Sequence, residues 1–107
     1  MNHIMSYKIF ENYKESRFFI IDIDNRSSTF ATQRSIMTYG YMWPSNGNFL
    51  INDDKIYLIC YPDKKSLAYL NKRWTEKEEL EKEKSKAMFY VTAEEFLDNP
   101  EKYMSEV

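Results

Sequence analysis

The sequence predicts an α+β fold: a small antiparallel sheet of about five strands in a meander, one main helix with a charged extension, and a short C-terminal helical cap. Two segments, residues 18–24 and 56–61, are rich in β-branched and aromatic residues and are apolar on both faces. Beyond Pro62, apolar residues recur at helical spacing, and two helix-capping signatures follow near the C-terminus.

Alternating side chains place the first strands. Residues 7–10 are predicted to form one strand and residues 17–24 another, whose apolar side chains point alternately to both faces. A strand that is apolar on both faces belongs in the middle of a sheet, so we expect residues 17–24 to be central. Residues 29–37 fit either irregular structure or a further strand.

Two hairpins are predicted for the middle of the chain. Residues 38–43 alternate as a strand, and the Asn-Gly pair at 46–47 signals a tight turn before a short strand at 49–51. Residues 52–55 favour a type I turn into the strand at 56–61. These strands together give the antiparallel meander.

The main helix is predicted for residues 64–74. Leu67, Leu70 and Trp74 recur there at helical spacing, and Asp63 is placed to cap the first turn. We expect this helix to cover one face of the sheet.

The charged extension covers residues 72–86, eleven of which are Lys, Arg or Glu. Residues 75–78 have the spacing of a capping box, so either a second helix begins there or the first continues to about residue 86. Leu80 is the only aliphatic side chain before Ala87, which leaves little to bury. We expect a protruding arm or an exposed helix, with a flexible loop as the alternative.

The C-terminal region is predicted to add one strand and two short helices. Residues 88–91 are apolar enough to return to the sheet. Thr92 begins a second capping-box match, and Asn99 precedes Pro100 at a first helical position. These helical pieces are expected to bury Phe96, Leu97, Tyr103 and Met104.

Length and composition limit the class of protein. A chain of 107 residues fits a single domain, 1–107, and its 43% apolar and 17% aromatic residues suffice for one core. No apolar run is long enough to span a bilayer, and the N-terminus lacks the features of a secretory signal, so we expect a cytoplasmic protein without a membrane partner. The abundance of Lys, Asn, Ile, Tyr and Glu is typical of an AT-rich genome, such as that of a phage or a low-GC bacterium.

Cysteine and histidine are too rare for several kinds of site. Cys60 is the only cysteine, which excludes an intrachain disulfide, and its position in a strand predicts burial. His3 is the only histidine, so histidine-based catalytic triads and multi-histidine metal sites are not expected. We predict no cofactor and no enzymatic activity.

Four acidic residues give the alternative, catalytic interpretation. Carboxylates two apart on a strand share a face, and a hairpin tip can bring others alongside to hold magnesium for phosphoryl or nucleotidyl transfer. These two acidic motifs resemble those of polymerase and primase palm domains. Residues 19–25 also resemble the first motif of haloacid dehalogenase-type phosphatases, although Arg26 stands where that motif has Thr or Val. The simpler interpretation, which we favour, is that Asp22 pairs with a basic neighbour and that the other three form turns. The candidate metal ligands are Asp22, Asp24, Asp53 and Asp54.

Residues 92–103 resemble the Phe-to-Tyr helical spacing of prevent-host-death antitoxins. In that family the segment opens the chain and builds a DNA-binding dimer, whereas here it lies near the C-terminus and contains Pro100. Two capped helical turns account for the same residues, and we interpret them in that way.

The aromatic residues support the interpretation that we favour. Both faces of the predicted sheet are apolar, and one main helix cannot cover both, so part of a face remains for a partner. Aromatic and Met side chains are typical anchors of protein interfaces.

We predict a small accessory, inhibitory or regulatory protein that binds another protein or a second copy of itself. A nucleic-acid-binding regulator is an alternative, although the net charge of −2 does not favour it. The predicted interface residues are Tyr39, Tyr41, Met42, Trp43, Tyr57 and Tyr61. The alternative is that these side chains belong to the core and are covered by the C-terminal helices.

Overall fold

The computed structural model of the protein describes residues 17–44 and 50–107. The α+β class is confirmed, and the predicted strand at 7–10 lies outside the described residues. In chain order, the described residues form β1 (Phe19–Ile23), α1 (Arg26–Met37), β2 (Ile56–Tyr61), β3 (Ser66–Asn71), α2 (Lys77–Lys86), β4 (Tyr90–Thr92), α3 (Ala93–Asp98) and α4 (Pro100–Met104).

The four strands form a mixed sheet in the order β3-β2-β1-β4. The strands β1 and β2 pair antiparallel, as do β2 and β3, but β4 is parallel to β1. The prediction of about five antiparallel strands is therefore wrong. The chain reaches β4 from β3 through α2 rather than through a hairpin, and a crossover of this kind delivers a strand in the parallel direction. The central position predicted for residues 17–24 is confirmed, since β1 lies between β2 and β4.

Residues 66–71 form a strand where the sequence predicted the main helix. Leu67 and Leu70 are both buried, but they lie on opposite faces of the sheet, so their spacing of three reflects strand alternation. The turn before β3 includes Lys65 with φ of 53°, a left-handed conformation. Asp63 has no helix to cap, since a turn and β3 follow it, and its carboxylate instead binds the Arg17 guanidinium at 2.7 Å.

The helix α1 occupies residues that the sequence assigned to irregular structure or a strand. Asn25 caps it, since its side-chain oxygen accepts a hydrogen bond from the Ser28 N–H at 2.8 Å. A turn through Gly40, at φ of 93°, follows the helix. The predicted strand at 38–43 is reduced to a bridge between Met42 and Ser66.

The hairpin predicted to join residues 38–43 to 49–51 is not formed by the described residues. Residues 50 and 51 are not in a strand, and the Asn-Gly pair at 46–47 lies outside the described residues. Residues 52–55 do lead into β2, but β2 forms its hairpin with β3. The side chains of α1 explain this difference, because they bind the chain before β2 as a loop.

The two faces of the sheet carry separate groups of buried side chains. The first face holds the larger group, which α1, α3 and α4 cover with residues such as Ile36, Phe96 and Met104. Cys60 is on this face and is buried, as predicted. The second face holds Phe18, Ile20, Ile59, Tyr61, Ala68 and Leu70.

The capping predictions for the C-terminal helices are confirmed. Thr92 and Glu95 form a capping box at α3, and Asn99 caps α4 with Pro100 in its first turn. Phe96 and Met104 are buried, whereas Leu97 and Tyr103 are partly buried. The predicted strand at 88–91 is displaced to Tyr90–Thr92.

The charged segment forms a separate exposed helix, which was one of the predicted outcomes. The helix α2 begins at Lys77 with Glu76, rather than the predicted Thr75, at its N-cap. Glu76 makes no side-chain capping bond and the Thr75 hydroxyl donates to the Asn71 carbonyl, so the expected capping box is absent. None of the residues of α2 is buried. Within the described part of the chain, no helix has the length and apolar character needed to cross a membrane.

Candidate functional site

One end of the sheet collects exposed charged and aromatic side chains. The strands β1 and β3 end there and β2 begins, because Ile23, Ile56 and Asn71 lie in one row across the sheet. Trp74 follows β3 and is 58% exposed, which is unusual for the largest apolar side chain. The guanidinium of Arg73 lies 3.5 Å from the carboxylate of Asp54. We call Asp54, Arg73 and Trp74 the Trp74 surface.

A tight turn fixes the backbone at Trp74. The carbonyl oxygen of Asn71 accepts hydrogen bonds from the N–H groups of Trp74 and Thr75, each at 3.1 Å. The same oxygen accepts a third bond from the Thr75 hydroxyl at 2.7 Å. The Asn71 side chain adds a bond from the Arg73 N–H at 2.9 Å. The indole is therefore presented by a backbone that is already ordered.

The loop before β2 lies beside this turn and is held by buried polar groups of α1. The Gln33 side chain both accepts from the Ile51 N–H, at 2.8 Å, and donates to the Ile51 carbonyl, at 2.9 Å. Trp43 donates its indole N–H to the same Gln33 oxygen at 3.3 Å. The Thr29 hydroxyl donates to the carbonyl of Asp53 at 2.7 Å. These bonds replace the strand pairing that the sequence predicted for residues 50 and 51.

A lysine joins two of the predicted acidic residues on the second face. The Lys72 ammonium contacts both Asp22 and Asp24, and the Tyr90 hydroxyl donates to the other oxygen of Asp22. The ammonium also lies 4.8 Å from the centroid of the Tyr57 ring, a cation–π distance. Each carboxylate oxygen of the half-buried Asp22 therefore accepts a hydrogen bond, one from Lys72 and one from Tyr90.

This cluster shifts the pKa values of its members. Burial alone would lower the pKa of Lys72, but hydrogen bonds to Asp22 and Asp24 outweigh it and raise the pKa. The hydrogen bond from Lys72 lowers the pKa of the Asp24 carboxyl. Burial raises the pKa of both Tyr57 and Tyr90, and the bond to Asp22 raises that of Tyr90 further. At neutral pH the lysine is charged and both tyrosines keep their protons.

The four predicted metal ligands fall into two pairs with different partners. Asp22 and Asp24 share Lys72, whose positive charge lies where a cation would bind them. Asp53 and Asp54 instead lie near Arg73, with oxygens 4.0 and 3.5 Å from its guanidinium. Among the residues that the structure describes, no group of three His, Cys, Asp or Glu side chains is arranged to hold a metal ion.

The predicted interface residues are distributed between the core and the surface. Tyr41, Trp43 and Tyr61 are buried and pack inside the protein. Burial raises the pKa of Tyr41 to about 12. Tyr39 and Tyr57 are partly buried beside the two groups of core residues. Only Met42, at 51% exposed, is fully available at the surface.

Trp74 and Arg73 were missed because the sequence placed Trp74 on the apolar side of a helix. The signal that could have identified them is the alternation of Leu67 and Tyr69 with Ala68 and Leu70, which ends at Asn71. An Asn at the end of a strand is typical of a turn, and the next large apolar side chain then lies outside the sheet.

No family model, curated protein or solved structure matches this chain. The function must therefore be inferred from the side chains themselves. Trp and Arg are two of the residue types that most often dominate the energy of protein interfaces, and both lie on the Trp74 surface.

Proposed function

We propose that this protein is a small non-catalytic accessory or inhibitory factor that acts by binding another protein through the Trp74 surface. The observation that carries the proposal is the 58% exposed indole of Trp74 on a turn with four hydrogen bonds to Asn71. A large aromatic side chain on an ordered backbone can bury much apolar area on binding while losing little conformational entropy. Trp74 replaces the anchors predicted from the sequence, Tyr39, Tyr41 and Trp43, of which Tyr41 and Trp43 are buried and Tyr39 is partly buried.

The charges around Trp74 favour a protein partner over nucleic acid. Asp54 lies beside Arg73 and reduces its attraction for phosphate. Asp24, whose side chain is 69% exposed, adds a further carboxylate at the same end of the sheet, where it pairs with Lys72. Single-stranded nucleic acid also binds to exposed aromatic rings, but it requires a positively charged groove beside them. A rim with both signs of charge suits a protein surface and contributes specificity.

The second-face cluster supports a non-catalytic role. A general base must be able to accept a proton near neutral pH. The raised pKa values of Lys72, Tyr57 and Tyr90 keep these groups protonated there. Lys72 is also paired with two carboxylates, which stabilise its ammonium form and so disfavour the neutral amine that a nucleophile requires. The cluster suits a structural role, because its side chains link β1 both to β4 and to the residue that follows β3.

The proposal is tested by capture of partners with two matched surface variants. Trp74→Ala removes the proposed anchor, and Met42→Ala removes the other large apolar side chain that is exposed among the described residues, at the opposite end of β3. Tagged wild-type and variant proteins are incubated with a lysate of the encoding organism, and the eluates are compared by mass spectrometry and nucleic-acid staining. Thermal melts verify that both variants fold.

We expect a protein that the wild type and Met42→Ala capture and that Trp74→Ala does not. Equal capture by both variants would place the binding surface elsewhere. Trp74-dependent recovery of nucleic acid, with an affinity that falls steeply with salt, would replace the protein partner by a nucleic acid.

A further inference from the structure

We infer that Asn71 is a positioning residue for Trp74, and that Asp53 holds the Asn71 side chain in place. The inference rests on the proposed function, because it concerns how the Trp74 surface is prepared for its partner. It assigns a role to one member of the predicted metal-ligand set, Asp53, that differs from metal binding.

The Asn71 side chain connects the turn to the loop before β2. Its amide nitrogen donates to Asp53 Oδ2 at 2.5 Å, while its amide oxygen accepts from the Arg73 N–H at 2.9 Å. Asn71 is only 4% exposed, so few water molecules can replace these partners. Only a side chain that donates and accepts at once can make both bonds, which explains an amide at this position.

Asp53 is itself fixed from two directions. Its other carboxylate oxygen accepts from the Lys55 N–H at 3.2 Å, and its carbonyl accepts from the Thr29 hydroxyl at 2.7 Å. A chain of hydrogen bonds thus runs from α1 through Asp53 to Asn71 and the turn that carries Trp74. A change at Asp53 should therefore reach Trp74 without any contact between the two side chains.

Asn71→Asp breaks one bond of this chain selectively. A carboxylate at position 71 still accepts from the Arg73 N–H, but it cannot donate to Asp53 and adds a like charge beside it. The turn should lose this side-chain attachment to the loop, while the backbone bond from the Lys72 N–H to the Lys55 carbonyl remains, and the indole should gain local motion. Partner binding should then weaken by roughly two- to tenfold, the effect of having to immobilise one flexible side chain on association.

The double variant Asp53→Asn with Asn71→Asp provides the matched control. It reverses donor and acceptor and preserves the net charge. The new amide at position 53 can donate to the new carboxylate at position 71, while its oxygen still accepts from the Lys55 N–H. If the pair acts as inferred, the double variant should restore the restraint that Asn71→Asp removes.

The measurement is time-resolved fluorescence anisotropy of Trp74. Trp43→Phe leaves Trp74 as the only tryptophan, since the chain has two. In that background, Asn71→Asp should increase the amplitude of fast indole motion, and the double variant should return it towards the parent value. Asp53→Ala removes the acceptor without changing position 71 and should also increase the amplitude of fast indole motion. This variant replaces Asn71→Asp in the test if Asn71→Asp does not fold.

Two outcomes separate this inference from the proposed function. Unchanged indole motion in Asn71→Asp or Asp53→Ala would overturn the positioning role and leave the Trp74 surface as a binding site. Partner capture that survives Trp74→Ala would overturn the proposed function, whatever the fluorescence shows. Increased motion that the double variant fails to reverse would also overturn the inferred pairing of Asp53 with Asn71.

Discussion

The helices α1 and α2 have similar lengths, 12 and 10 residues, but are held in the protein very differently. The helix α1 buries Thr29, Thr32, Gln33 and Ile36, and two of these side chains bind the loop before β2. The helix α2 buries no residue, and its Lys84 ammonium lies 4.1 Å from the centroid of the Tyr90 ring. Tertiary contacts, rather than helix-forming residues, therefore decide how firmly a helix is anchored.

Gln33→Ala should give the largest loss of stability. It leaves the Ile51 N–H and carbonyl and the Trp43 N–H without their side-chain partner, so we expect a loss of about 2–4 kcal/mol in the free energy of unfolding. Urea unfolding measures it. Arg34→Ala, at the exposed neighbouring position, is the control and should change stability by less than about 0.5 kcal/mol. Similar losses for the two variants would contradict the anchoring role of Gln33.

Lys72→Met tests what stabilises the second face. Lys72→Met removes the ammonium from Asp22, and we expect a loss of about 1–3 kcal/mol in the free energy of unfolding because a partly buried carboxylate loses a charged donor. Urea unfolding again provides the measurement. Lys55→Met, at an exposed position at the same end of the sheet, should have little effect. A stable Lys72→Met variant would show that Tyr90 alone satisfies Asp22.

The same ion pairs predict how stability depends on pH. The pKa of Lys72 is raised in the folded protein, so its contribution is complete below its ordinary pKa and is lost as the pH rises through the folded value. The pKa of Asp24 is lowered, so its smaller contribution is present above its ordinary pKa and is lost as the pH falls through the folded value. Urea titrations of wild type and Lys72→Met from pH 7 into the alkaline range should converge. Parallel curves would contradict the assignment.

Lys84→Ala should have the smallest effect on global stability. A partly exposed cation–π contact contributes about 0.5–1 kcal/mol, and α2 offers no buried side chain to add to it. Hydrogen exchange gives the sharper comparison, since amides of α2 should exchange through local opening while those of α1 require more global unfolding. Equal protection of the two helices would show that α2 is anchored as firmly as α1.

The sequence predicted correctly those strands and helix caps that are specified by residues adjacent in the chain. The strands at residues 17–24 and 56–61 and the caps at Thr92 and Asn99 could be identified because alternation and capping depend on neighbouring residues. The strand β3 could not, because Leu67 and Leu70 fit both periods and only pairing with β2 distinguishes them. The helix α1 was missed because its buried face is largely polar, and its partner is a loop distant in sequence.

The candidate site was missed for the same reason. Trp74 fits the apolar side of a helix if residues 64–74 are helical, and becomes exposed only once β3 is recognised. Of the predicted acidic residues, Asp22 could be expected to pair with a basic neighbour, but its partner Lys72 lies 50 positions away in the chain. Pairing over such distances leaves no local pattern in a single sequence.

The parallel pairing of β1 with β4 has a consequence for synthesis of the chain. Ile20 pairs with Tyr90, so β1 leaves the ribosome long before the strand that completes one of its edges. During that interval the edge is open to pairing with other chains, a well-known route to aggregation. Closure over so long a loop also slows folding, whereas the β2–β3 hairpin can form as soon as it emerges. The nascent protein therefore depends on β4 to protect β1.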